Sequence, residues 1–157
     1  MPALNAKEYL INSLRMQHGR LVKDLMALPE ELHDKSFAGC AKSPLYMFVE
    51  CAWVNGWIQE VLEGGPATRL TDEEEVALFG AIDTTEKALA MLEESVTKLS
   101  AVYESLDENT LGDMTDKPFG RPVPLFQPAS LPISHMMYHD GQLNYIQQLH
   151  GDDKIHW

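Results

Sequence analysis

The sequence predicts an all-α fold, a four-helix up-down-type bundle, and three observations carry that reading. Four separate segments read as helices: the first and third carry apolar stripes at helical spacing, the second is apolar nearly all round, and the last has Leu131, Met136, Leu143, Ile146 and Leu149 as apolar contacts. No convincing strand pattern, internal repeat or low-complexity segment interrupts them. The breaks between the segments are chemical ones: Pro29, the turn Gly64-Gly65-Pro66, and a proline-rich stretch before the last helix. A chain of 157 residues supports one domain with a real core, so residues 1–157 are expected to form a single domain.

The first helix is expected over residues 3–28, with Leu10, Leu14, Leu21, Leu25 and Leu28 as its core stripe. His18 lies on that stripe, where a hydrogen-bonded core residue is the commoner outcome and metal ligation the rarer one. The second helix runs over 44–63, opened by Ser43 as N-cap and Pro44 at the first helical position. It is apolar nearly all round and therefore mostly buried. The third spans 72–106, started by the capping-box spacing of Thr71 and Glu74, with a candidate break at Asp83-Thr84. Its stripe is Ala88, Leu89, Leu92, Val96, Leu99, Tyr103 and Leu106. Residues 107–129 contain four prolines and no period, a long Pro-rich loop whose Phe119, Val123, Leu125 and Phe126 imply packing. The fourth helix is expected over 130–149, capped by Ser130 and stopped at Gly151. In the tail, packing or chance is the commoner explanation of His156, with ligation the alternative.

Composition excludes several functions. Twelve Lys and Arg face 24 Asp and Glu, a formal charge of −12. Such a surface repels phosphate backbones and anionic lipid, so neither nucleic acid nor membrane is an expected partner. No run of apolar residues is long enough to span a bilayer, and no basic segment followed by an apolar core marks secretion. Cys40 and Cys51 make no disulfide framework, and Cys51, inside an apolar run, reads as a reduced, buried small residue. A cytoplasmic location is the default.

The chemistry concentrates in two places. His135 and His139 are four apart, so on a helix their imidazoles share a face and can hold one metal ion. Gln142, three residues on, lies on the same face. Glu50 is the only ionisable residue in the second helix's apolar stretch. A buried carboxylate is protonated, paired or metal-bound, and a metal or the histidine pair is the preferred partner here. Tyr46 and Trp53, four before and three after Glu50, would line a substrate pocket from the second helix, with Tyr138 and Gln142 as its polar residues on the fourth.

Four helices with His135-x-x-x-His139-x-Gly141-Gln142 on the last resemble the DinB/YfiT-like superfamily of metal-binding bundles. The longer phrase from His139 to Gln147, then Gly151-Asp152, and the segment Pro118-Phe119-Gly120 are similar to one subgroup of it. The resemblance implies a divalent-metal site of three histidines, one on the second helix and two on the fourth. Counted from Lys42-Ser43, the second-helix position falls on Glu50, so the implied set is Glu50, His135 and His139. Asp140 stands where the family often has Arg. Zinc or nickel is the implied metal, with iron or manganese also compatible with two histidines and a carboxylate. The implied activity is that of a metal-dependent hydrolase or thiol transferase acting on a small molecule. The alternative is a non-enzymatic metal-binding or structural bundle. A homodimer is expected, because the fold class often dimerises. No side chain is an obvious general base, so catalysis would rest on metal-bound water.

Overall fold

Four of the five helices begin at a residue whose side chain accepts a hydrogen bond from a free first-turn N–H. In the computed structural model, which describes residues 5–157, these caps are Asn5, Ser43, Thr71 and Thr84. They open α1 (Ala6–Ala27), α2 (Pro44–Leu62), α3 (Asp72–Ala81) and α4 (Thr85–Ser105). The expected first helix reached back to Ala3, and its first two residues lie outside the described ones. Thr71 and Glu74 form the full capping box. Helix α2 ends on a Schellman motif: Gly64, at φ 83°, donates to the Val61 carbonyl, and Gly65 to that of Glu60.

Two boundaries differ from the sequence reading. The expected helix 72–106 is two helices, because Thr84 turns its hydroxyl to the Lys87 N–H and Ile82 leaves helical geometry at φ −104°, ψ 87°. The last helix, α5 (Phe126–Leu149), starts four residues before the expected cap. Ser130 is inside it and donates to the Gln127 carbonyl rather than capping. Pro128 falls in the first turn, where its missing N–H costs nothing. Pro132 lies within the helix proper. The expected Pro-rich loop is consequently shorter and partly ordered. It holds a 3-10 turn at Glu108–Gly112 and a two-residue antiparallel pair, β1 (Met114–Thr115) with β2 (Val123–Pro124).

Packing brings α2 against α4 and α5, and α1 against the same two helices. The interior is built from the expected stripes: Leu10, Leu14, Leu21 and Leu25 of α1, Leu92, Leu99 and Tyr103 of α4, and Met136 and Leu143 of α5 are all fully buried. Each such side chain contributes about 1.5–3 kcal/mol relative to exposure. Short α3 has no buried residue. It lies over α2, where Phe79 stacks on Tyr46 with ring centroids 3.9 Å apart. Among the described residues, no helix is long and apolar enough to cross a membrane.

Polar contacts fix the rotation of α5. On its α1 side, Gln17 Nε2 donates to Asp140 Oδ2 at 3.1 Å, Asn144 to Asp24 Oδ2 at 2.7 Å, and Gln147 to the Asp24 carbonyl at 2.8 Å. With that face held to α1, His135 and His139 are turned toward α2.

Candidate metal centre

The first turns of α2 carry Glu50 and Cys51, and the middle of α5 carries His135 and His139. Where these helices pack, Cys51, His135 and His139 each present a ligand atom, all within 4.8 Å of one another. Cys51 Sγ stands 3.7 Å from His135 Nδ1, and Glu50 Oε2 stands 3.2 Å from His139 Nε2. The two imidazoles meet edge to face, centroids 4.6 Å apart.

The proton on His139 is placed by Gln142. Its Oε1 lies 2.7 Å from His139 Nδ1 and can only accept, so neutral His139 carries its hydrogen on Nδ1 and its lone pair on Nε2. That Nε2 is buried, in a side chain only 1% exposed, and has no hydrogen-bond partner. With Nε2 bare, the Glu50 oxygen 3.2 Å away offers it no donor and sets a carboxylate against its lone pair. A buried polar atom left this way costs about 1–3 kcal/mol unless something else satisfies it.

A cation fits the arrangement. Bonds of about 2.0–2.1 Å to nitrogen or oxygen and about 2.3 Å to sulfur set the ligand atoms of a tetrahedral zinc roughly 3.3–3.6 Å apart. Two of the pairs, Glu50–His139 at 3.2 Å and Cys51–His135 at 3.7 Å, bracket that separation, while the cluster whose ligand atoms all lie within 4.8 Å is Cys51, His135 and His139, without the expected Glu50.

Electrostatics separates the four groups. Burial and then the neighbouring His139 push His135 down to about 4, so it is a neutral imidazole with a free lone pair at neutral pH. Burial would raise Glu50, but a proton on His139 Nε2, when present, and Lys42, whose Nζ lies 2.5 Å from Oε2, outweigh it and bring the carboxyl to about 2. A carboxylate held so low is a feeble proton acceptor, which favours Glu50 as a ligand or fixed charge over a general base. Burial, then the Glu50 charge, pushes the Cys51 thiol well above its ordinary value. Metal binding there must expel its proton.

Other expected residues divide between two cavities. Tyr46, Glu50 and Trp53 line a cavity of about 250 Å³ together with Arg69, Glu75 and Phe79. Tyr138 and Gln142 line the other, a largely apolar groove of about 560 Å³ between the α2 entry and α5. Tyr138 is exposed, its ring centroid 5.0 Å from that of His139. His18 pairs with Glu93 at 3.3 Å, and His156 with Asp152 at 2.8 Å, in both cases away from the centre. Sequence reasoning placed Cys51 correctly as buried and reduced but missed it as a candidate ligand. The available signal was its position one residue after Glu50, on the helix already expected to face the histidines.

No family model and no curated protein matches the chain. Among solved structures, the fold is similar to that of a conserved protein from Enterococcus faecalis, at 18% identity and a TM-score of 0.74. It is also similar to an uncharacterized protein from Clostridium difficile 630, at 12% identity and a TM-score of 0.70. Both likenesses cover 94% of this chain and 98% of the other. At these identities what is shared is the fold: a mostly helical chain of this architecture.

Proposed function

We propose that the chain is a DinB/YfiT-like four-helix bundle that binds one divalent metal ion at His135 and His139, with Cys51 and Glu50 completing the set from α2. The observation that carries this reading is the buried Nε2 of His139, its lone pair oriented by Gln142 and left without a hydrogen-bond partner among candidate ligands. A thiolate and two imidazoles favour zinc, with nickel next, and the Glu50 carboxylate also accommodates iron or manganese. When bound, such an ion supplies Lewis-acid chemistry, which suits a metal-dependent hydrolase or thiol transferase acting on a small molecule. Gln142 holds His139 in one tautomer, burial excludes water from it, and Lys42 keeps Glu50 ionised.

Calorimetric titration of chelator-treated protein with zinc and with nickel tests the reading. One equivalent should bind. His139→Ala should abolish binding, Cys51→Ser and Glu50→Gln should each weaken it, and Glu50→His should retain it. His156→Ala should leave it unchanged, because His156 is engaged with Asp152. Equal affinity in wild type and His139→Ala would place any metal elsewhere and sink the proposal.

A further inference from the structure

The cavity of about 250 Å³ in front of Glu50 contains one cation, Arg69, and two acids, Glu50 and Glu75. Both acids have other partners. Glu50 is paired with Lys42, and Glu75 accepts the Tyr46 hydroxyl at 2.7 Å. Among the described residues, no carboxylate lies within ion-pair distance of Arg69. In a chain with twice as many acids as bases, a guanidinium beside two acids that are engaged elsewhere, and with no acid partner of its own, is open to an anion from solution. We propose that this cavity binds a small monocarboxylate with an apolar or aromatic body, its carboxylate paired with Arg69.

Three features support the assignment. The guanidinium is carried on a fixed connection. Lys117 Nζ donates to the Gly65 carbonyl at 2.6 Å, and the Thr68 N–H donates to Glu60 Oε2 at 3.0 Å. Ala67 is held left-handed at φ 61°, a conformation that disfavours a residue with a Cβ and persists only where surroundings impose it. Arg69 Cζ also sits 5.3 Å from the Trp57 ring centroid, a cation–π contact on a guanidinium whose N–H fork has no ion-pair partner among the described residues. That planar fork matches a carboxylate with two parallel hydrogen bonds.

The walls set the rest of the ligand. Tyr46, Trp53 and Phe79 offer aromatic surface to an apolar body. The volume falls below the roughly 300–1,000 Å³ of sites for drug-sized molecules, which suits a small ligand. Glu50 and Glu75 repel a second negative charge, which selects a monoanion over a phosphate. The proposal deepens the metal-centre reading, since it rests on that reading for what the bound molecule meets at Glu50. The Arg69 contact itself needs no metal.

The test uses the full chain, metal-free and zinc-loaded, with the indole signals of Trp53 and Trp57 followed by NMR. The probes are benzoate, neutral benzamide and inorganic phosphate. Benzoate should bind saturably, with benzamide and phosphate each weaker by about tenfold or more, the loss expected for a charge-assisted hydrogen bond. Arg69→Gln, on an exposed connection, should stay folded and keep its zinc affinity while losing benzoate by a similar factor. Benzamide binding as well as benzoate, phosphate binding as well as benzoate, or an Arg69→Gln variant indistinguishable from wild type would each overturn the proposal. Arg69-dependent benzoate binding in a protein with no zinc affinity supports it and overturns the metal reading alone.

Discussion

His139 shows how much one residue can reveal. Its spacing from His135 and its position before Gln142 were legible in the sequence, because side chains three and four apart on a helix share a face whatever the fold. Glu50 was legible as a lone charge in an apolar helix, but its pairing with Lys42, rather than with the histidines alone, was not. Nor was Cys51. Neighbouring residues on a helix point about 100° apart, and which of Glu50 and Cys51 approaches α5 more closely depends on how the two helices pack. The hydrogen bond from His139 Nδ1 to Gln142 leads to a prediction at this scale. Partners that orient a ligating imidazole are worth about 10–100-fold in metal affinity. Gln142→Ala should lower zinc affinity by that factor without unfolding the chain, as calorimetry beside circular dichroism would show.

At the scale of elements, α5 presents two polar faces: the histidines toward α2, and Asp140 with Asn144 and Gln147 toward α1. Burial, and next the Asp24 carboxyl, raise Asp140 from 3.8 to about 7. The folded chain therefore keeps a proton that the unfolded chain has lost between about pH 4 and 7, and stability should fall as pH rises through that window. Asp140→Asn should flatten this fall in denaturant midpoints measured from pH 4 to 8. An unchanged slope would refute the assignment. The break between α3 and α4 gives a second prediction. Thr84 caps α4, and losing an N-cap costs about 0.5–2 kcal/mol, so Thr84→Ala should lower stability by that amount in urea unfolding. The break was visible in the sequence as a candidate, since Asp83-Thr84 is cap chemistry. The start of α5 was misplaced because Ser130, a good cap by type, lies after Phe126 and Pro128, and proline fits a first turn as readily as it ends a loop. The periodic apolar residues, by contrast, mostly became core, with Leu89, Leu106 and Leu131 half-buried at its edge and Leu149 exposed.

For the whole molecule, the fold class was readable from periodicity because helix faces are local properties, while the arrangement of the site required packing angles that no local pattern encodes. The homodimer proposed from the fold class has exposed apolar side chains on α5 to draw on, among them Met137, Tyr145 and Leu149. Light scattering at micromolar concentration should return twice the chain mass of 17.7 kDa, and a monomer mass would remove the proposal. Lys42 adds a consequence of a different kind. Its ammonium already neutralises Glu50, so a metal ion reaching that carboxylate trades places with a resident cation rather than entering an empty negative hole. Loading is then an exchange whose speed is set by how often the lysine arm swings away. Stopped-flow mixing should show Lys42→Met taking up zinc faster than wild type, and a rate independent of residue 42 would show that the arm is no gate.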